Sequence, residues 1–295
     1  MQYRQLGPSS LTVSAVSFGC MSLGQDEAEN TRIVNRAIEL GVNLFDTADI
    51  YEKGHNEEKI GRILKGRRDQ VFIASKVGNR WRPDGSGLDW DAGRDHILQA
   101  VEGSLARLGT DRIDLYQLHG GTMEDRIDET IGAFELLQQQ GKIRYYGISS
   151  IRPAVIGEYV RRSRIVSVMM QYSLLDRRPE QHCLELLRTS GIGMLARGTL
   201  ARGLLTGKEA TGFLGHSAEE VSAAAAAIDR ISGPQRSRAQ TAVQFVLRNP
   251  AVSSAVVGFR TLEQVEDLLG NGGGALIPEQ ENRLLQRAIR ANFYE

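Results

Sequence analysis

The sequence predicts an α/β protein of one domain, residues 1–295, built as a (β/α)8 barrel with a short N-terminal β-hairpin. Two observations carry the prediction. Short β-rich runs, most of them continuously apolar, alternate with stripes of helical period along the whole chain, and no Pro/Ser-rich linker or charge block divides it. A third separates the barrel from a doubly wound open sheet, which would usually have fewer strands and a phosphate fingerprint after its first one. Length alone would allow two domains, but barrels of about 250 residues are routinely one.

In chain order, residues 3–13 read as the hairpin, and strands are expected at 16–18, 43–45, 71–75, 113–118, 143–148, 165–169, 192–196 and 254–257. Between them, apolar residues recur at helical spacing: Ile33, Ala37 and Leu40; Ile97, Val101, Leu105 and Leu108; Ile127, Ile131, Phe134 and Leu137; Ala239, Val243 and Val246; Leu262, Val265 and Leu269. Each stripe gives a helix one face to lay on a sheet. The low-complexity spots at 223–227 and 272–274 are too short to divide the chain.

An apolar share of 41% and a charged share of 24% suit a globular chain with a sizeable core. Thirty-six basic and thirty-six acidic side chains cancel, so there is no long-range field toward nucleic acid or an anionic membrane, and any anionic ligand must be met by a local site. The only cysteines, Cys20 and Cys183, are far apart, which excludes a disulfide scaffold and a zinc site built on paired cysteines. The N-terminus is polar, and no stretch approaches the roughly 18 apolar residues of a membrane helix. A cytoplasmic protein with reduced thiols is expected.

In a barrel of this class, chemistry sits where strands end. Those positions hold Gly19, Asp46, Lys76, His119, Ser149 with Ser150, Gln171, Arg197 and Gly258, so titratable groups converge on one rim. Lysine occurs only six times, which makes one at the end of an apolar strand stand out. Singly, each has a plain alternative: Asp46 as a turn cap, Lys76 as a rim salt-bridge partner, His119 as a hydrogen-bonded core histidine. Together, the alternatives would require several coincidences on one face.

The run Gly41-Val42-Asn43-Leu44-Phe45-Asp46-Thr47-Ala48-Asp49-Ile50-Tyr51, followed by Gly54, Asn56, Glu57 and Gly61, resembles the first signature of the aldo-keto reductases. Asp111-Arg112-Ile113-Asp114-Leu115-Tyr116-Gln117-Leu118-His119 and Gly141-Lys142-Ile143-Arg144-Tyr145-Tyr146-Gly147-Ile148-Ser149 resemble two more. The resemblance runs from Leu6 to about Leu269. It implies a (β/α)8 fold, NAD(P)H without a metal, and carbonyl reduction by a tetrad that falls on Asp46, Tyr51, Lys76 and His119. The chemistry explains the residue types. Hydride delivered to a carbonyl carbon leaves negative charge on the oxygen, which must receive a proton, and a phenol is a weak acid for that task. Lys76 close to Tyr51 would favour the phenolate, Asp46 would hold Lys76 charged, and His119 would orient the carbonyl oxygen. Tyr51 taken alone would be an ordinary loop aromatic.

The run Gly191-Ile192-Gly193-Met194-Leu195-Ala196 satisfies G-x-G-x-x-A but ends a helix and enters a strand, the reverse of a dinucleotide loop, so its glycines read as a helix stop and a tight turn. The resemblance instead implies that Ser149 and Gln171 hold the nicotinamide amide, with Gly19 and Met21 after the first strand at the cofactor's edge. Ser150, where the family commonly has Asn, is either a second amide contact or a cap for the helix that Pro153 opens. Residues 197–208 resemble the family's pyrophosphate loop, with Arg197, Gly198, Thr199, Leu200, Gly203 and Lys208 as contacts. Many relatives begin that loop with a tyrosine stacked on the nicotinamide. Arg197 stands there instead, and beside a ring that becomes cationic on oxidation it would favour the reduced cofactor. Residues 258–267 resemble the adenosine-phosphate segment. Arg260 and the helix N-terminus would meet a 2′-phosphate, with Gly258 a further cofactor contact and Gln264 and Asp267 near the adenosine, which points to NADPH over NADH; the alternative is an exposed arginine and a helix cap. Leu268 stands where relatives often have Asn.

Trp81 and Trp90 lie in a loop after Lys76. They either line the pocket mouth for an apolar or aromatic aldehyde or pack the loop onto the barrel. Met21 and Met170 otherwise read as barrel packing. The partner expected is a small-molecule carbonyl compound, with neither nucleic acid nor membrane, and no heptad speaks for an oligomer. Two rival readings remain: a cofactor-binding sensor with little turnover, and a barrel glycosidase, which would need paired strand-end carboxylates where only Asp46 is found.

Overall fold

The computed structural model describes residues 1–294. A hairpin of β1 (Tyr3–Gln5) and β2 (Thr12–Ser14) leads into β3 (Val16–Gly19), β4 (Leu44–Asp46) and β5 (Phe72–Val77). After an inserted antiparallel pair, β6 (Asn79–Trp81) and β7 (Leu88–Trp90), come β8 (Ile113–Leu118), β9 (Ile143–Ser149), β10 (Ser167–Gln171), β11 (Gly193–Arg197) and β12 (Val252–Val257). Strands β3, β4, β5, β8, β9, β10, β11 and β12 pair in parallel in that order and close into a barrel.

Ten helices surround the strands among the described residues: α1 (Glu27–Glu39), α2 (His55–Ile63), α3 (Arg94–Leu108), α4 (Ile127–Gln139), α5 (Pro153–Arg162), α6 (Cys183–Thr189), α7 (Ala218–Ile231), α8 (Arg238–Leu247), α9 (Leu262–Leu269) and α10 (Glu279–Ala288). Four of their starts follow from side-chain capping. Asp26, Ser217, Ser237 and Thr261 each accept a first-turn N–H, with capping boxes at Ser217 and Ser237. None of these helices is long and apolar enough to cross a membrane.

Two apolar layers follow from the period-2 alternation of the strands. Inside the barrel, Leu44, Ala74, Leu115, Met169 and Leu195 pack with Leu6, Leu11 and Val13, so the hairpin closes one end. Outside, Phe18, Phe45, Ile73, Tyr116 and Tyr146 meet helix stripes that include Ile33, Ile97, Val101, Phe134 and Val243. The other end, where the strands finish, is left for polar side chains.

The expected elements are present, with local shifts. The sixth barrel strand runs two residues later than its apolar run suggests, because the ladder to β11 extends to the Gln171–Arg197 pair. The expected loop after Lys76 is a hairpin, paired from Asn79–Trp90 to Trp81–Leu88. The alanine-rich spot at 223–227 is the middle of α7, as a strong helix former should be. The glycines at 272–274 take left-handed turns whose carbonyls, at Gly273 and Gly274, accept from Gln244. Gly191 is left-handed just after α6 and Gly193 opens β11, where a Cβ would fall 2.5 Å from Ser253 Oγ. Gly191 therefore serves the left-handed turn that stops α6, and Gly193 serves close packing.

Candidate active site

Asp46 ends β4, and Lys76 is the penultimate residue of β5, the neighbouring strand, so two side chains 30 positions apart meet inside the rim. Both are buried, at 4% and 0% exposure. Lys76 Nζ donates to Asp46 Oδ2 and to the Thr47 carbonyl, each at 2.7 Å, and lies 3.4 Å from the Tyr51 hydroxyl. Burial opposes the ammonium charge, but the Asp46 carboxylate and the Tyr51 oxygen outweigh it and hold the Lys76 pKa above the ordinary lysine value. Burial likewise pushes Asp46 upward against the pull of Lys76. The two are charged together because each is the other's nearest opposite charge.

Tyr51 stands on a short turn whose next two residues, Glu52 and Lys53, have φ of 50° and 56°, in the left-handed region. Glu52 accepts from Lys59 at 2.7 Å and from Gln25 at 2.9 Å, which hold that unfavourable turn in place. From the outside, Trp81 Nε1 donates to the Ile50 carbonyl at 3.2 Å, and Lys53 Nζ lies 5.3 Å from the Trp81 ring centroid. From beneath, fully buried Glu57 accepts from Ser75 Oγ at 2.5 Å and from Arg107 Nε at 2.7 Å. Arg107 runs so close under Gly54 that a Cβ there would sit 2.7 Å from its Cδ. Asp49, half-buried near Glu57, has a buried and unpartnered Oδ1. Burial first, and Glu57 second, raise its carboxyl to about 7.

His119 follows β8, its ring 5.9 Å from that of Tyr51 and at 81° to it. Burial, with the Lys76 and Arg197 charges adding, lowers its pKa to about 3, so the imidazole is neutral at ordinary pH, and its Nδ1 has no partner. These groups face one cavity of about 390 Å³, lined by Tyr51, Lys76 and His119 together with Ser149, Ser150, Arg152 and Arg197, and by the apolar Met21, Ile50, Ile151 and Met169.

The remaining expected residues fall into three sets. Ser149, Ser150 and Arg197 stand at strand ends lining this cavity, and Gln171, which ends β10 behind them, accepts from Arg197 Nη1 at 3.1 Å. The loop after β11 carries Gly198 and Gly203 at φ of 69° and 93°, a buried and unpartnered Thr199 hydroxyl, Leu200, and exposed Lys208. After β12, Ser22 Oγ donates to the carbonyls of Gly19 and Phe259, and a Cβ on Gly258 would fall 2.7 Å from that oxygen, so the first and eighth loops touch. Arg260 is exposed. Its N–H donates to Gln264 Oε1, Thr261 caps α9, Asp267 is exposed, and Leu268 is buried.

Three readings that the sequence left open are narrowed. Met21 is not barrel packing: on a short turn just after the barrel wall ends, it is 69% exposed at the cavity edge, whereas Met170 is buried. Ser150 is not the cap of α5, which is Arg152; its hydroxyl instead accepts from the Arg152 N–H at 3.2 Å, two residues on. Neither tryptophan lines the catalytic cavity. Trp90 lies against Gly78 and Gly120, where a Cβ would meet its ring at 2.9 and 2.8 Å, and donates to Asp125 at 2.8 Å; Trp81 braces the turn as described. Two groups escaped sequence reasoning. Asp49 was visible only as part of a motif. Arg152 lies beyond the strand end, and its place before Pro153 at a helix start was the signal available.

The profile of the Aldo/keto reductase family matches residues 15–289. The chain belongs to this family. It is similar to the uncharacterized oxidoreductase YqkF of Bacillus subtilis, 46% identical over 304 residues and covering 100% of this chain and 99% of that one. Among solved structures, it resembles the holo form of aldo-keto reductase AKR11C1 from Bacillus halodurans, with a TM-score of 0.93, 45% identity and coverage of 100% and 98% of the two chains. It also resembles the glycerol dehydrogenase AKR11B4 of Gluconobacter oxydans, with a TM-score of 0.85, 27% identity and coverage of 97% and 94%. This aldo-keto reductase is an NAD(P)H-dependent oxidoreductase, and its family implies reduction of small carbonyl compounds. Its residues fit such a cofactor: the unpartnered His119 Nδ1 at the cavity, the unpartnered Thr199 hydroxyl and left-handed glycines in the loop after β11, and exposed Lys208 and Arg260 in no ion pair among the described residues.

Proposed function

We propose that the protein, as one unit over residues 1–295, reduces small aldehydes or ketones to alcohols with NADPH, and that Tyr51 donates the proton. The observation that carries this reading is the single buried cluster in which Lys76 Nζ reaches Asp46 Oδ2, the Thr47 carbonyl and the Tyr51 hydroxyl beside an uncharged His119. A nicotinamide held at this cavity would supply hydride to the carbonyl carbon. Tyr51 gives its hydroxyl proton to the carbonyl oxygen, and Lys76 stabilises the phenolate left behind. Asp46 fixes the ammonium, so no reorganisation is needed as charge moves. His119, a neutral donor, orients the carbonyl oxygen without competing for the proton.

Ser149 and Gln171 hold the cofactor's amide end, with Gly19, Met21 and Ser150 beside it. Gly198, Thr199, Leu200, Gly203 and Lys208 receive the pyrophosphate. Arg260 and the N-terminus of α9 would meet a 2′-phosphate, which favours NADPH, with Gly258 as a further contact and Gln264 and Asp267 toward the adenosine. Arg197, its guanidinium bonded to Gln171, would stand beside a bound nicotinamide and disfavour its oxidised form. The ratio of NADPH to NADP+ affinity in Arg197→Tyr checks that role. It falls toward parity if Arg197 acts so, and an unchanged ratio removes the idea.

The experiment for the whole reading is NADPH oxidation by the pure protein across aldehydes, dicarbonyls and ketones. Turnover on at least one class is expected. A folded protein that binds NADPH and reduces none of them would be a cofactor-binding sensor instead.

A further inference from the structure

We infer that Arg152 forms a carboxylate subsite in the catalytic cavity, so that the preferred substrates are short aldehydes that carry an acidic group. The inference rests on the reductase reading above and names its substrate class. The cavity that holds Tyr51, Lys76 and His119 is also lined by two arginines, Arg152 and Arg197, and by no aspartate or glutamate. Lys76 has its carboxylate in Asp46. Among the described residues, neither arginine makes an ion pair. Arg197 is tied to Gln171 on the side assigned to the cofactor, whereas Arg152 makes one side-chain hydrogen bond, Nη1 to the Gly121 carbonyl at 3.0 Å. Gly121 lies two residues after His119, so that bond anchors the guanidinium against the loop of the carbonyl-orienting histidine and leaves its other donors free.

The surrounding backbone adds to the positive potential of this wall. Arg152 is also the N-cap residue of α5, a ten-residue helix that opens with Pro153 and has no side-chain cap, so its first-turn N–H groups lack a side-chain acceptor. Buried Ser150 accepts the Arg152 N–H and fixes the chain at that point. The chain is neutral overall, so this positive end of the cavity is a local feature rather than part of a basic surface. The apolar Ile50, Ile151 and Met21 suit a few methylene groups between the carbonyl and the acid. A guanidinium matches a carboxylate with paired donors, and such a charge-assisted contact is worth about a factor of ten or more in binding.

Succinic semialdehyde and its methyl ester, which differ by one charge at nearly equal size, are the probes, with NADPH saturating. The wild-type protein is expected to favour the acid over the ester by roughly ten-fold or more in kcat/KM, mainly through KM, and rising salt should erode that preference. Arg152→Gln should bring the ratio near one, Arg152→Glu should invert it, and Arg152→Lys should keep most of it. A wild-type ratio near or below one, or a ratio unmoved in Arg152→Gln, overturns the subsite while leaving the reductase intact. A rise in the KM for NADPH in place of the KM for the acid would show that Arg152 serves a cofactor phosphate, which also overturns it. No turnover of either probe, when other aldehydes are reduced, overturns the substrate class; no turnover of any aldehyde overturns the reductase reading with it.

Discussion

On the catalytic side of the rim, Lys76 and Asp46 are buried and joined at 2.7 Å, whereas Lys208 and Arg260 stand exposed, in no ion pair among the described residues. On the proposed reading the contrast is one of task. A proton-transfer group needs fixed partners and little water, so charge can move without reorganisation. A phosphate grip needs cations that stay free until the anion arrives, and therefore tolerates solvent and salt. The first arrangement is costly to disturb and the second is cheap.

The largest effect is expected on the buried side. Lys76→Met removes the cation from Asp46 and from the Tyr51 hydroxyl together. Reduction should fall by about a thousand-fold or more, and the uncompensated buried carboxylate should cost about 3–5 kcal/mol of stability. Denaturant unfolding and steady-state rates check both; a variant of native stability would show that the pair is not a buried charge pair at all.

The next effect belongs to Asp49. Burial, then Glu57, raises its carboxyl from 3.8 to about 7. A group that holds its proton more tightly folded than unfolded stabilises fully below about pH 4, and that contribution is lost as pH rises through about 7. Asp49→Asn should therefore gain stability over wild type across that range, by about 4 kcal/mol at most. His119 slopes the other way. Lowered to about 3, it stabilises above its ordinary 6.5, and that contribution is lost as pH falls toward 3. Melting temperature against pH separates the two, and a variant curve parallel to the wild-type one would contradict the assignment to Asp49.

On the exposed side, Arg260→Gln and Lys208→Met should each raise the NADPH Kd by about ten-fold, less so at high salt, while stability changes by about 0.5 kcal/mol or less. For Arg260→Gln, the NADH Kd should move far less. Equal loss for both cofactors would remove the 2′-phosphate role.

The same contrast governs what could be read from sequence. The barrel strands were legible because each is buried on two faces and appears as an apolar run, and Asp46, Lys76 and His119 because they end those runs; Tyr51 was legible only through the motif that follows Asp46. The β6–β7 hairpin was not legible: its three-residue strands are held by Trp90 against Gly78 and Gly120, contacts without sequence period. The clamp on the Tyr51 turn was hidden for a similar reason, since Arg107 lies 50 residues from Glu57. Met21 was misjudged because an apolar residue beside an apolar strand reads as core, although the barrel wall has already ended there.

The most direct test of this division is Tyr51→Phe, with NADPH affinity measured by titration and reduction measured by cofactor oxidation. The hydroxyl has one side-chain contact, to Lys76 at 3.4 Å, so the fold should persist. The account predicts an NADPH Kd within about two-fold of wild type and a reduction rate lower by about a hundred-fold or more. Retained turnover would contradict Tyr51 as the proton donor, and a lost NADPH site would contradict the separation of the two sides of the rim.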